Sequence, residues 1–150
     1  MKEAIKDLEK NAKDNYTEVL PVYKLGSKKE ATAINSKADR AIEKASKVIQ
    51  NNSMYFNKKE YNRWIDDSYM MIGKAYFYKQ DYASARRTFE FILTRYKDSP
   101  LIPEIYLWLG LTNNQMEQFS RSEAELEKFR MLSARKTMPR SMMLFYNKVL

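Results

Sequence analysis

Residues 66–100 read DDSYMMIGKAYFYKQDYASARRTFEFILTRYKDSP, and the reading of this stretch decides the fold. Positions three and four apart meet on one side of an α-helix, and here such positions mix bulky aromatics with small residues. Tyr69, Ile72, Gly73 and Tyr76 form one stripe; Tyr82, Ala85 and Phe89 form a second. Gly and Ala at a helix crossing let two axes come close, while the flanking aromatics fill the space that remains. The stretch therefore predicts a helix, a turn at Lys79-Gln80-Asp81, a second helix over about 82–96, and a break at Lys97-Asp98-Ser99-Pro100. A repeat unit must recur. This one does, at a constant offset of 37: Tyr69 to Tyr106, Ile72 to Leu109, Gly73 to Gly110, Tyr82 to Phe119 and Phe89 to Leu126.

Working outward, the second unit predicts a leading helix over about 101–116, a turn at Glu117-Gln118 and a trailing helix over about 119–134. The first unit's leading helix is expected over about 60–79, behind a short aromatic and basic linker, MYFNKKEY at 54–61. Trp64, nine positions before Gly73, is expected to wedge between this unit and the helix ahead of it. That helix is announced by Ser27 and Glu30, spaced as a capping box, and carries Ala31, Ile34, Ala38, Ala41, Ile42, Ala45, Val48 and Ile49 on one face. The alanines predict a short distance to a neighbouring helix. Residues 15–26 lack a helical period and contain Pro21, which reads as an extended connector. Met1, Ile5, Leu8 and Ala12 make residues 1 to about 15 an amphipathic helix. Pro139 reopens a helix bearing Met142, Met143, Phe145, Tyr146 and Val149; so apolar an end is a poor cap for a helical stack, and the reading is a further unit cut short. The expected plan is one helical domain over 1–150: an N-terminal segment at 1–59, repeats at 60–100 and 101–137, and the start of another helix at 138–150. Met1 opens inside an amphipathic stripe rather than ahead of one, as a trimmed chain would, with any leader lying upstream.

Composition agrees with an all-α class. Of 150 residues only 3 are Gly and 4 Pro, and 44% are hydrophobic, enough for a continuous core with little turn chemistry for a hairpin-rich sheet. There is no Cys and no His, which removes disulfides, thiolate chemistry, the commonest general base and every Ser–His or Cys–His nucleophile system. No run approaches the roughly 18 apolar residues of a membrane span, and the opening MKEAIKDLEKNAKD is too charged for a signal peptide. The net charge of +8 is spread along the chain, yet after Glu127 the basic residues Lys128, Arg130, Arg135, Lys136, Arg140 and Lys148 are expected to meet no acidic partner. A solvated face is the expected reading of that end, ahead of an acidic partner or anionic lipid; no nucleic-acid-binding motif is present.

The stripe positions resemble the signature of the tetratricopeptide repeat: Tyr69, Ile72, Gly73, Tyr76, Tyr82, Ala85, Phe89 and Ile92 in the first unit, with Pro100 as a delayed closing proline. In the second, Tyr106, Leu109, Gly110, Phe119, Leu126 and Phe129 fit, whereas Asn113 and Ser122 stand where an aromatic and an alanine are usual. A spacing of 37 rather than 34, with RYKDSPLIPEIYLWLG joining the units, is similar to the variant found in bacterial outer-membrane-assembly and envelope lipoproteins. The phrases NYTEVLPVYKLG, ADRAIEKASKVIQ and WIDDSYMMIGKAYFYKQDYASARRTFEFI resemble a narrower group, the repeat-containing lipoproteins of Bacteroidetes that serve gliding motility and type IX secretion. That resemblance covers about residues 1–130 and implies a lipoprotein on the periplasmic face of the outer membrane, anchored by a lipidated cysteine absent from this chain.

The resemblance further implies a helical solenoid of antiparallel pairs whose leading helices line a concave, protein-binding surface. Its outward positions are Asp67, Met70, Lys74, Phe77 and Tyr78, then Glu104, Leu107, Leu111, Asn114 and Gln115. Met70 and Lys74 occupy the places of the first lysine and first asparagine of the carboxylate clamp in chaperone-binding members, which disfavours a cytosolic chaperone adaptor. The expected activity is non-enzymatic protein binding, with no catalytic, cofactor or metal residues. The partners expected are proteins of the secretion or motility machinery, not nucleic acid, with membrane contact only through the missing anchor. An outer-membrane-assembly or cell-division-linked lipoprotein is the alternative, and an enzyme built on carboxylates or tyrosines the more distant one. Asp66-Asp67 diverge by about 100° on a helix and read as partners of its dipole rather than a catalytic pair. Glu123, Glu125 and Glu127 with Lys128 read as a solvated face, and the nine Met as gap fillers. Tyr16, Tyr23 and Tyr55 fall outside the helical periods and are the better candidates for contacts.

Overall fold

The computed structural model describes residues 5–7, 10, 28–57 and 59–133, and nearly all of them are helical. Helix α1 spans Lys28–Asn52, α2 Ile65–Tyr78, α3 Tyr82–Arg95, α4 Ile102–Gln115 and α5 Phe119–Ser133. Between α1 and α2 lies a two-stranded antiparallel hairpin, β1 (Tyr55–Phe56) with β2 (Lys59–Glu60). Each helix packs on the one before it, and α2 also touches α4. The all-α class is as expected. The connector at 15–26, Tyr16, Tyr23, the Ser27 half of the capping box and the reopened helix after Pro139 lie outside the described residues.

The offset of 37 read from side chains reappears in the backbone. Both ends of α2 and α4 are related by it, as are the starts of α3 and α5. Gln80 (φ 61°) and Glu117 (φ 60°), also 37 apart, both take the left-handed conformation that turns the chain back. The turns leading into α2 and α4 match too: Asn62 Oδ1 accepts from the Trp64 amide at 3.1 Å, and Ser99 Oγ from the Leu101 amide at 3.1 Å. A side-chain oxygen bonding an amide two residues on preorganises such turns.

Within each pair the helices meet at glycine. A Cβ on Gly73 would stand 2.5 Å from Cε1 of Phe89, and one on Gly110 would stand 2.7 Å from Cδ2 of Leu126. At either place a methyl fits only if the facing side chain moves. Phe89, Ile92, Ile105 and Phe129 are completely buried around these crossings. Trp108 of α4 closes the gap between the pairs, its ring 5.2 Å from Phe77, 6.0 Å from Tyr78 and 6.3 Å from Phe89. Of the two departures in the second unit, Ser122 is satisfied by donating its hydroxyl to the Gly110 carbonyl at 2.8 Å. Asn113, also buried, takes the place of Tyr76, and its Oδ1 has no hydrogen-bond partner among the described residues.

Helix α1 buries Ala31, Ile34, Ala38 and Ala45, as its small-residue face predicts, although Val48 is left exposed near its end. An ion pair from Lys79 to Asp39 ties it to the end of α2, and Ile5 packs against the same core. Two expectations are corrected. Helix α2 begins at Ile65 rather than near residue 60, because residues 55–60 pair as a hairpin and 62–65 make a turn. Trp64 is consequently the capping residue ahead of the helix, not part of its inner stripe; at 58% exposed it is not buried between α1 and α2.

Gly73→Ala is expected to destabilise the fold by about 1–3 kcal/mol, overriding the roughly 1 kcal/mol that Ala gains over Gly in a helix. Gly110→Ala is expected to cost less, since a leucine end swings aside more easily than a phenyl ring walled in on every side; urea unfolding of the two variants checks the order.

Candidate functional site

The ten positions expected to face outward divide in two. Met70, Phe77, Tyr78, Leu107 and Leu111 are 3, 2, 6, 2 and 3% exposed and belong to the core. Helix α2 packs chiefly on α1 and α3, and α4 on α3 and α5, with Phe77 of α2 meeting Trp108 of α4; together these neighbours close over the apolar positions that a single helix would present to solvent. Asp67 is exposed, while Lys74, Glu104, Asn114 and Gln115 are half-buried.

What remains accessible is polar and runs along the junction of the two helix pairs. Lys74 Nζ lies 2.5 Å from Glu104 Oε1, and the same oxygen accepts from Trp108 Nε1 at 3.3 Å. The ammonium also sits 5.2 Å from the centre of the Trp108 ring, so one cation meets both a carboxylate and a π face. Further along, Tyr82 donates to Gln115 Oε1 at 3.4 Å and Arg86 to Gln118 Oε1 at 3.1 Å. At the other end Ser99 donates to Asp66 Oδ2 at 2.5 Å, and Asp66 Oδ1 accepts from the Asp67 amide at 2.9 Å. Asp66 therefore holds the connection between the pairs to the start of α2. Partial desolvation, followed by the negative charges of Asp66 and Glu104, raises the carboxyl of Asp67 above its ordinary value against the pull of Arg63 and Lys74. These groups bind and orient one another. Among the described residues no group of three or more His, Cys, Asp or Glu is placed to hold a metal ion, and no helix is long and apolar enough to cross a membrane.

The basic end reads differently in three dimensions. Lys128 pairs with Glu125 at 3.2 Å, and Arg130 grips Glu127 through two bonds of 2.8 and 2.7 Å, which holds that carboxyl below its usual range. The first two cations after Glu127 thus find acids one turn back. Arg135, Lys136, Arg140 and Lys148 lie outside the described residues.

Helical reasoning missed the hairpin. In MYFNKKEY, Asn57 (φ 48°) takes a left-handed conformation that asparagine tolerates, and Tyr55 pairs with Glu60 and Phe56 with Lys59. The Tyr61 amide donates to the Met54 carbonyl at 3.2 Å, which carries the register one pair further. Side chains alternate along a strand. Tyr55 and Glu60 face the body: the Arg95 guanidinium stands 3.5 Å from the Tyr55 ring centre, and Glu60 accepts from Ser53 Oγ and the Met54 amide at 2.7 Å and from the Asn62 amide at 3.0 Å. Burial pushes the Glu60 carboxyl up, but these hydrogen bonds outweigh it and hold the group below its ordinary value. Tyr55, the sequence's contact candidate, is thus engaged internally. Beside this anchor Tyr69, Phe91 and Tyr96 form an aromatic cluster, where burial, reinforced by Tyr69 and Glu60, pushes the Tyr96 hydroxyl up to about 12. The signal available in the sequence was the alternation of Met54, Phe56, Lys59 and Tyr61 about Asn57.

A double-mutant cycle over Lys74→Ala and Glu104→Ala is expected to give a coupling of about 1 kcal/mol, above the few tenths expected for the exposed Glu43–Lys47 pair on α1. The folded state holds the Asp67 proton more tightly than the unfolded state does, so that contribution is complete at acid pH and is lost as pH rises through the raised value. Asp67→Asn is accordingly expected to stabilise the chain at pH 7 relative to wild type and to leave stability near pH 3 unchanged, as read by denaturant unfolding at the two pH values. No family model matches this chain, and neither a curated protein nor a solved structure does.

Proposed function

We propose that this chain is a non-enzymatic scaffold of the tetratricopeptide-repeat type, two antiparallel helix pairs of a solenoid that binds other proteins. The observation that carries the reading is the offset of 37, which relates helix bounds, left-handed turn residues, lead-in turns and glycine crossings between the pairs. A chain built from one repeated packing unit extends by adding units, and its exposed seam grows with it. In this reading the partner-facing residues are the accessible ones of the junction, Asp67, Lys74, Glu104, Asn114 and Gln115, while Met70, Phe77, Tyr78, Leu107 and Leu111 support them from beneath. Neither His nor Cys is present to favour an enzyme.

The narrower sequence resemblance supports a place in the bacterial envelope, as a lipoprotein component of type IX secretion or gliding motility at the periplasmic face of the outer membrane. The 37-residue spacing favours a second reading, an outer-membrane-assembly or cell-division-linked lipoprotein. A photo-crosslinking residue placed at Asp67 or Asn114 in the native cell is expected to capture secretion or motility components. Capture of outer-membrane-assembly factors favours the second reading, and capture of no protein from either position overturns the scaffold.

A further inference from the structure

The hairpin between α1 and α2 wears its strands inside out. In a sheet packed on one side, apolar side chains ordinarily face the core and polar ones face water. Here the register places Met54, Phe56, Lys59 and Tyr61 on one face, because Met54 lies opposite Tyr61, Phe56 lies opposite Lys59, and side chains two apart share a side. That face points away from the body: Met54, Phe56 and Tyr61 are 59, 67 and 60% exposed. Lys59 Nζ lies 5.9 Å from the Tyr61 ring centre, which places the two on the same side. Trp64 follows the hairpin with 58% of its surface exposed, and the Arg63 guanidinium stands 4.6 Å from its ring.

The opposite face supplies a reason for the inversion to be stable. Glu60, Asn62 and Ser53 bond to one another's backbone and side chains, Asn62 Nδ2 reaches the Asn52 carbonyl at 2.9 Å, and Arg95 covers Tyr55. The hairpin is held by polar anchors and leaves its apolar side chains to another partner.

We infer that this face is a docking site for the surface of an anionic lipid bilayer. On the hairpin itself the exposed charge is positive: Lys59, and Arg63 just after it, are exposed beside the rings, the hairpin's one carboxylate, Glu60, is turned inward onto hydrogen-bond donors, and the nearby exposed acid Asp67 lies on α2 within the influence of Arg63. Its shape and chemistry match an interface rather than a protein groove. Large side chains about 60% exposed stand clear of the body instead of lining a cleft. Trp and Tyr carry an apolar ring and a polar edge, the combination favoured at the level of lipid headgroups. Apolar side chains enter the acyl boundary while Lys and Arg stay with the phosphates, which joins burial to charge attraction. The inference does not depend on the scaffold reading, which concerns the junction of the helix pairs.

The test uses the full chain with vesicles of phosphatidylcholine alone and of phosphatidylcholine with phosphatidylglycerol. Co-sedimentation with the anionic vesicles is expected, falling about fivefold from low to high salt, together with a blue shift of tryptophan fluorescence. The shift is expected to vanish in Trp64→Ser, since Trp108 is already shielded at 6% exposure. Phe56→Ser with Tyr61→Ser is expected to lower binding about tenfold, the scale of two apolar groups withdrawn from the interface, with far-UV circular dichroism unchanged. Phe56→Leu, which keeps the apolar contact, is expected to retain binding and shows that any loss is not one of folding. Absence of binding to anionic vesicles overturns the inference. So does binding that persists in the Phe56 and Tyr61 variant but is abolished by Lys136→Ala with Arg140→Ala.

Discussion

The fold depends on a close approach that only glycine permits. Gly73 lets the Phe89 ring lie against the backbone of α2, and Gly110 does the same for Leu126 against α4. With the axes of each pair drawn together, Tyr82 comes within reach of Phe77, and Trp108 fits between Phe77, Tyr78 and Phe89 to join one pair to the next. A side chain at either glycine would push the helices apart and open the space that these rings fill. Close packing makes such an interior intolerant, because a gap of even a fraction of an ångström forfeits much of the contact energy.

That packing divides the surface into two regions of different chemistry. Along the junction of the helix pairs, charged and amide side chains engage each other across the gap: Asp66 with Ser99, Lys74 with Glu104, Tyr82 with Gln115 and Arg86 with Gln118. Such partly buried bonds set the orientation of one pair on the next more than they add stability. At the lead-in to α2 the arrangement is reversed, with polar groups anchoring the hairpin inward and rings standing outward. One region is satisfied by its own side chains, and in the other Met54, Phe56 and Tyr61 are left exposed.

The repeat was legible because spacing survives translation into structure. An offset of 37 between like residues demands like helices, and α2 and α4 repeat it at both ends. The small-residue face of α1 was legible for the same reason. The outward positions were not, since a helical period marks which residues share a side but not which neighbour covers that side. Met70, Phe77 and Leu107 share a leading-helix face with Lys74 and Glu104, yet packing against the neighbouring helices takes the first three into the core and leaves the other two at its rim. The hairpin and the place of Trp64 were not legible because MYFNKKEY reads as a linker with the helix starting near residue 60, whereas pairing across Asn57 satisfies the backbone groups of 55–60 and delays the helix to Ile65.

By itself the sequence determined the all-α class, the positions of two related helix pairs, and the glycines at which each pair crosses. Local spacing is sufficient for these, because helix period and side-chain size act within a few residues. The tertiary structure alone decided which stripe is covered, which charges meet, and that the aromatic face of the hairpin is turned to solvent. Those outcomes depend on contacts between residues some thirty positions apart, such as Lys74 with Glu104, and on the inward anchoring of Glu60, and no local pattern of residues specifies them.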